Sequence, residues 1–228
     1  MQHPTPNPTP SRSPDPGAGR APGGFYRTVL LPTFLEWSET NEELDAARQR
    51  TVEYATGHVL ELGSGLGSTL DLYSHEITSL TTVDPNRALN ARVRRRMRHL
   101  PFPTDVREGV AEQLPVKSAA FDTVVCAFSL GAVLDAPAAL AEVRRVLKPG
   151  GRLLLAELVL DEDPALARRQ QRWSMLRNFL SGGYRLGAPP LAAVEAAGMT
   201  LQRVEHRALE RRPWLLGTLL EAMAVVAA

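Results

Sequence analysis

VLELGSGLGSTL, residues 59–70, is an apolar strand that breaks into three glycines spaced two apart. Gly63, Gly65 and Gly67 remove every Cβ from one wall of the turn, so a flat or charged ligand can approach the backbone closely. The spacing narrows the ligand. A dinucleotide loop reads G-x-G-x-x-G, and counted from Gly63 its last glycine falls on Ser68. That mismatch counts against a nicotinamide-dependent oxidoreductase. Glu61, two residues before the first glycine, counts against it too, because a carboxylate facing the loop repels a pyrophosphate and attracts an ammonium. The loop reads as built for a cationic ligand.

On either side of the loop, short apolar runs alternate with helical patterns. Strands are predicted over 58–62, 77–83, 104–109, 121–127 and 151–159, with a short helix from the loop to about residue 74 and longer ones over 86–99 and 136–147. Such alternation is the sequence form of a doubly wound parallel sheet, so the fold class is α/β. In LKPGGRLLLAE, Pro149 presets one turn position and Gly150 supplies a positive φ, predicting a tight hand-over from helix to strand. Past about Asp161 come a polar and aromatic helix, a short helix over 188–197 and strand-like segments near 199–208 and 214–227.

Ahead of the first strand, FYRTVLLPTFLEWSE carries apolar residues at roughly helical spacing, and SETNEELDAARQRTVEYATG reads as a second helix with Gly57 as its stop. Residues 1–24, rich in Pro, Ser, Thr and Gly, have almost nothing to bury and are expected to be disordered. The chain thus divides into a tail (1–24), entry helices that cap the site (25–57) and one domain (58–228). At 228 residues, 44% hydrophobic and 22% charged, it can bury one substantial core. A net charge of +1 gives no global attraction to nucleic acid or acidic membrane. The single cysteine, Cys126, excludes an internal disulfide framework and reads as core. No basic-then-apolar leader opens the chain and no stretch reaches about 18 uninterrupted apolar residues, so the expectation is no signal peptide, no membrane span and a cytoplasmic location.

In an open parallel sheet the ligand lies beyond the carboxyl ends of the strands. Strand one ends in Glu61 and the loop that contains Ser64. Strand two ends in VDPN, with Asp84 twenty-one residues after Gly63 and suited to accept hydrogen bonds from both hydroxyls of a ribose. Strand three runs into GVAEQLP, where Ala111 can offer a backbone N–H and Glu112 a carboxylate to an adenine edge. Strand four, FDTVVCAFSL, brings Phe128 to the floor beneath the ligand.

ELGSGLG, VDPN, VAEQLP, FDTVVCAFSL and EVRRVLKPGGRLLLAE, in that order and spacing, resemble the motif series of class I S-adenosylmethionine-dependent methyltransferases of the small-molecule, type 11 kind. The resemblance covers about residues 58–160, and within that superfamily the chain is similar to the menaquinone-biosynthesis type and to bacterial relatives of the thiol methyltransferase-like proteins. It implies a Rossmann-like, mainly parallel seven-stranded sheet of order 3-2-1-4-5-7-6 with helices on both faces. It implies S-adenosylmethionine as cofactor and methyl transfer to an O, S, N or C nucleophile of a small, partly apolar acceptor. It also implies that Glu61 and the backbone of Gly63, Ser64, Gly65 and Gly67 lie near the methionine moiety, Asp84 on the ribose, and Ala111 and Glu112 on the adenine, with Pro85 and Phe128 in the same site. The methionine ammonium is then the cation that Glu61 awaits. The apolar anchor of membrane-bound relatives does not carry over, since a proline-rich tail takes its place.

Methyl transfer is an in-line displacement, so alignment supplies much of the rate, and a base is needed only where the nucleophile must lose a proton. Candidates are Glu157 at the end of strand five, Tyr26, Tyr184 and His206, each with a competing structural reading. Asp161, Glu162 and Asp163 could hold a divalent metal, but no acidic partner ends strand four, and no metal is expected. The basic run ARVRRRMRH (91–99) reads as a solvated helix face. It lacks interleaved aromatics, and strand four lacks an NPPY-like tetrad, so no nucleic-acid substrate is expected. Trp173, Phe179 and Tyr184 are either packing or a lid over an apolar substrate. Two rivals stay open: a non-catalytic S-adenosylmethionine-binding scaffold or sensor whose basic helix meets an anionic partner, and, more weakly, the nicotinamide-dependent oxidoreductase.

Overall fold

The computed structural model describes residues 41–173, 186, 187, 189–210 and 217–227. The tail, the first entry helix, Tyr26, Phe179 and Tyr184 lie outside the described residues. In chain order the elements are α1 (Glu42–Val52), β1 (His58–Leu62), β2 (Ser79–Asp84), α2 (Arg87–Arg96), β3 (Thr104–Glu108), β4 (Phe121–Ala127) and α3 (Ala136–Val146). There follow β5 (Leu147–Val159), α4 (Pro164–Arg172), α5 (Leu191–Ala196), β6 (Met199–Ala208) and β7 (Thr218–Val226).

The strands make one seven-stranded sheet in the order β3-β2-β1-β4-β5-β7-β6. Neighbours from β3 to β5 pair in parallel, and β7 runs antiparallel to both β5 and β6. The central strands read as unbroken apolar runs because both faces are covered. Leu60, Leu62, Val124, Cys126, Leu153 and Leu155 point to one side, against Leu140 and Val143 of α3 and Val194 of α5. Their neighbours Val59, Val125 and Leu154, with Leu80, point to the other, against Val52 of α1, Val93 of α2 and Met97 just after it. Cys126 is fully buried in this core, and burial pushes its thiol pKa far up.

Local chemistry sets the element ends. α1 starts where the Asn41 side chain accepts the Glu43 and Leu44 N–H groups, with acidic residues in its first turn. β5 begins at Leu147, earlier than predicted, because Leu147 already pairs with Phe121 before the register shifts to Thr123 and Arg152. Gly150 takes φ +74° within that irregularity. The helix predicted from the glycine loop to about residue 74 is instead a single 3-10 turn, Leu70–Leu72. Tyr73 leaves it extended (φ −67°, ψ 135°), and Thr69 and Tyr73 both turn to Glu61 rather than continuing a helix. Among the described residues no helix is long and apolar enough to cross a membrane.

Candidate active site

The carboxyl ends of β2, β1 and β4 lie side by side with β1 in the middle, so everything that follows these strands shares one cleft. The glycine loop leaves β1 at Gly63, whose N–H donates to Val83 O (2.8 Å), and closes where Gly67 N–H donates to Ser64 O (2.7 Å). Gly63, Gly65 and Gly67 have φ of +68°, +52° and +83°. Gly63 is required twice over: a Cβ there would adopt the left-handed region and would sit 2.7 Å from the Ser129 Cβ.

Glu61 is buried under this loop. Its Oε1 accepts from the Thr69 hydroxyl (2.5 Å) and its Oε2 from the Tyr73 hydroxyl (3.0 Å). Burial raises its pKa above the ordinary carboxylate value, and the Asp84 charge adds to that rise. The two hydroxyls and the Arg48 guanidinium oppose it. Arg48, in α1, is itself buried, pairs with Asp45 (2.5 Å) and lies 5.2 Å over the Phe128 ring. Sequence reasoning missed it, although position 48 falls on the same stripe of α1 as the buried Leu44, Thr51 and Val52. A charged residue on such a stripe was the available signal.

At the end of β2, Asp84 is buried too. Its Oδ2 accepts the Gly65 N–H (3.3 Å) and its Oδ1 the Asn86 N–H (2.7 Å). Burial raises its pKa, and those two N–H groups pull it back. Asn86 caps α2, and Pro85 between them is exposed at the rim. Ala111 and Glu112 lie in the tight turn closed by Gln113 N–H to Val110 O (3.2 Å). The Glu112 Oε1 accepts the N–H groups of Leu134 (2.8 Å) and Asp135 (3.2 Å), so the loops after β3 and β4 are stapled together.

Phe128 follows β4 with φ +58°, a left-handed conformation rare for a bulky residue, and its N–H donates to Ala156 O (2.7 Å). The next two N–H groups, of Ser129 (2.8 Å) and Leu130 (2.6 Å), both donate to Glu157 Oε1. Glu157, 3% exposed, thereby holds the loop that carries Phe128. His206 is elsewhere: β6 lies four strands from β1, about 19 Å across the sheet. Its Nδ1 lies 2.7 Å from Glu162 Oε1. The remaining acidic residues after β5 are also engaged, Asp161 by the Thr218 hydroxyl (2.6 Å) and the Asp163 N–H (2.9 Å), and Asp163 by the Ala165 N–H at the cap of α4 (2.9 Å). Among the described residues no group of three His, Cys, Asp or Glu could hold a metal ion.

Among the described residues, the Ser64 hydroxyl within the glycine loop is buried without a hydrogen-bond partner. A buried hydroxyl without a partner costs free energy, so its place in a loop of positive-φ glycines fits a polar ligand. A family profile described as methyltransferase domain matches residues 60–155, from β1 into β5. Over residues 60–155, then, the chain carries a methyltransferase domain. This methyltransferase is 28% identical over 141 residues to a phosphatidylethanolamine N-methyltransferase of Cereibacter sphaeroides, over 60% of this chain and 69% of that protein. It is 36% identical over 100 residues to a ubiquinone/menaquinone biosynthesis C-methyltransferase of Rubrivivax gelatinosus, over 44% of this chain and 39% of that one. The match therefore spans less than half of the latter's length. In fold, the methyltransferase superposes on the YcgJ protein of Bacillus subtilis with a TM-score of 0.67 at 18% identity, over 82% of this chain and all of that one. Family and fold together imply S-adenosylmethionine as the methyl donor of this enzyme.

Proposed function

We propose that this methyltransferase holds S-adenosylmethionine in the cleft above β1 and transfers its methyl group to a small, partly apolar acceptor. One observation carries the reading: a positive-φ glycine loop, its unpartnered Ser64 hydroxyl and two buried carboxylates, Glu61 and Asp84, surround one strand end. When bound, S-adenosylmethionine supplies an electrophilic methyl on a sulfonium. The residues of this chain then have separable tasks. Glu61 offers negative charge beside the loop for the methionine ammonium, and Asp84 offers two oxygens to a ribose. The turn at Ala111 and Glu112 lies where the adenine end would reach. Phe128, fixed in shape by Glu157, forms the floor on which donor and acceptor are aligned, and alignment is what a displacement chiefly needs. Glu157 already takes two N–H groups, so its first duty is to hold that floor. The acceptor is read from the relatives: one is named for a phospholipid amine and the other for a quinone carbon, acceptors that differ in atom and share apolar character.

The test is calorimetric titration with S-adenosylmethionine and S-adenosylhomocysteine, followed by transfer of labelled methyl to quinols, phosphatidylethanolamine vesicles and small thiols. Wild type should bind with a Kd on the order of micromolar. Asp84→Asn, which keeps the shape and removes the charge, should weaken binding by roughly tenfold or more. Absence of binding by folded wild type refutes the proposal. Binding without transfer to any acceptor returns the scaffold reading.

A further inference from the structure

We propose that Arg96, at the basic end of α2, is a positioning residue that straps the glycine loop from outside; the inference rests on reading that loop as the S-adenosylmethionine site. The arginines of ARVRRRMRH divide by what they touch. Arg94 Nη2 donates to Val106 O of β3 (3.0 Å), and Arg95 Nε to Ala91 O of its own helix (3.3 Å). Arg96 leaves the helix. Its Nη1 donates to Leu66 O (3.0 Å) and its Nη2 to Asp71 Oδ2 (2.7 Å), so one guanidinium spans the loop and the turn that follows it.

Leu66 stands between Gly65 and Gly67, both at positive φ. A peptide that leads into a glycine flips more easily than most, because no Cβ resists the rotation on that side. Across a trans peptide the C=O and N–H point in opposite directions. Here the two ends of the Leu66–Gly67 peptide are both held: the carbonyl outward by Arg96, the N–H inward by Ser64 O (2.7 Å). A flip of this plane would lose both bonds and turn a carbonyl into the loop, where it would meet an anionic or polar ligand group as a repelling oxygen. Arg96 therefore keeps the Leu66 carbonyl from turning into the loop. The planar fork of arginine suits the task, since it reaches a carbonyl and a carboxylate at once. The Arg96 and Asp71 side chains are 34% and 72% exposed, and an ion pair so open to water adds little to global stability. Loop order and fold stability can thus be separated.

The experiment is hydrogen exchange of the ligand-free protein together with S-adenosylhomocysteine titration, on wild type, Arg96→Met, Arg96→Lys, Asp71→Asn and Arg95→Met. In Arg96→Met the amides of the loop should exchange on the order of tenfold faster, while the Tm falls by no more than about 2 °C. The Kd for S-adenosylhomocysteine should rise roughly five- to twentyfold. Arg96→Lys, which can still reach one partner, should recover part of both effects, and Asp71→Asn should give a smaller rise. Arg95→Met should match wild type. Wild-type loop exchange in Arg96→Met overturns the strap, as does unchanged affinity, or an equal effect from Arg95→Met. If wild type itself fails to bind, the proposed function falls, and loop exchange alone still decides whether the strap exists.

Discussion

Glu157 is where a catalytic and a positioning role give opposite results. Its Oε1 accepts two consecutive backbone N–H groups, and both come from the segment just after the left-handed Phe128. Glu157→Gln keeps an oxygen in place and removes the charge. A hydrogen bond to a charged group is worth about 1 kcal/mol more than one to a neutral group, so the two bonds lose about 2 kcal/mol. For a chain of this length that lowers Tm by about 4–8 °C. Glu157→Leu leaves both N–H groups buried and unpaired, costing about 1–3 kcal/mol each and roughly 4–24 °C in total. The assay is thermal unfolding of each variant beside methyl transfer measured well below its Tm. The expected result is a graded loss of Tm from Glu to Gln to Leu, with turnover by Glu157→Gln within a few-fold of wild type. A Glu157→Gln variant with wild-type Tm and no turnover would refute the clamp and make Glu157 the base.

Gly63→Ala should cost about 1–2 kcal/mol for its left-handed φ and about 1–3 kcal/mol for the contact with Ser129, read as a Tm drop of roughly 4–20 °C. Adding Ser129→Gly should recover the contact part alone; no recovery would show that Ser129 is not what excludes a side chain there. Glu61→Gln tests a stability cost. Because burial raises the Glu61 pKa, the folded chain holds that proton more tightly than the unfolded one, so wild-type stability falls as pH rises through the raised value. The Tm advantage of Glu61→Gln should therefore be near zero below the ordinary carboxylate range and grow as pH rises through the raised value, with S-adenosylmethionine binding weakened where Glu61 is charged. An advantage that shrinks with rising pH would contradict the assignment.

The strands and their order of use were legible because a doubly covered parallel sheet writes itself as short apolar runs, and His58–Leu62 and Phe121–Ala127 fall where those runs predict. The residues at the strand ends were legible for the same reason: once β1 and β2 are known, Glu61, Gly63 and Asp84 have nowhere else to be. What stayed hidden depends on contacts between distant residues. The end of the helical pattern at Leu72 was set by Glu61, which draws in the hydroxyls of Thr69 and Tyr73. Arg48 looked like one more charge on an entry helix, and only the packing of α1 against the sheet puts it over Phe128. Glu112 is spaced for an adenine, yet the loop after β4 reaches it first. Arg96 cannot be distinguished from its neighbours by sequence, since the rotation of α2 alone decides which arginine faces the loop.

Asp84 accepts the Gly65 N–H at 3.3 Å, and this long bond sets the character of ligand capture. The carboxylate and the loop satisfy one another before any ligand arrives. On the proposed function, a ribose diol at Asp84 would use the remaining lone pairs of the two oxygens, each of which accepts one N–H here. The carboxylate would then meet the diol already oriented by Gly65 and Asn86, so that little of the binding free energy goes into turning it.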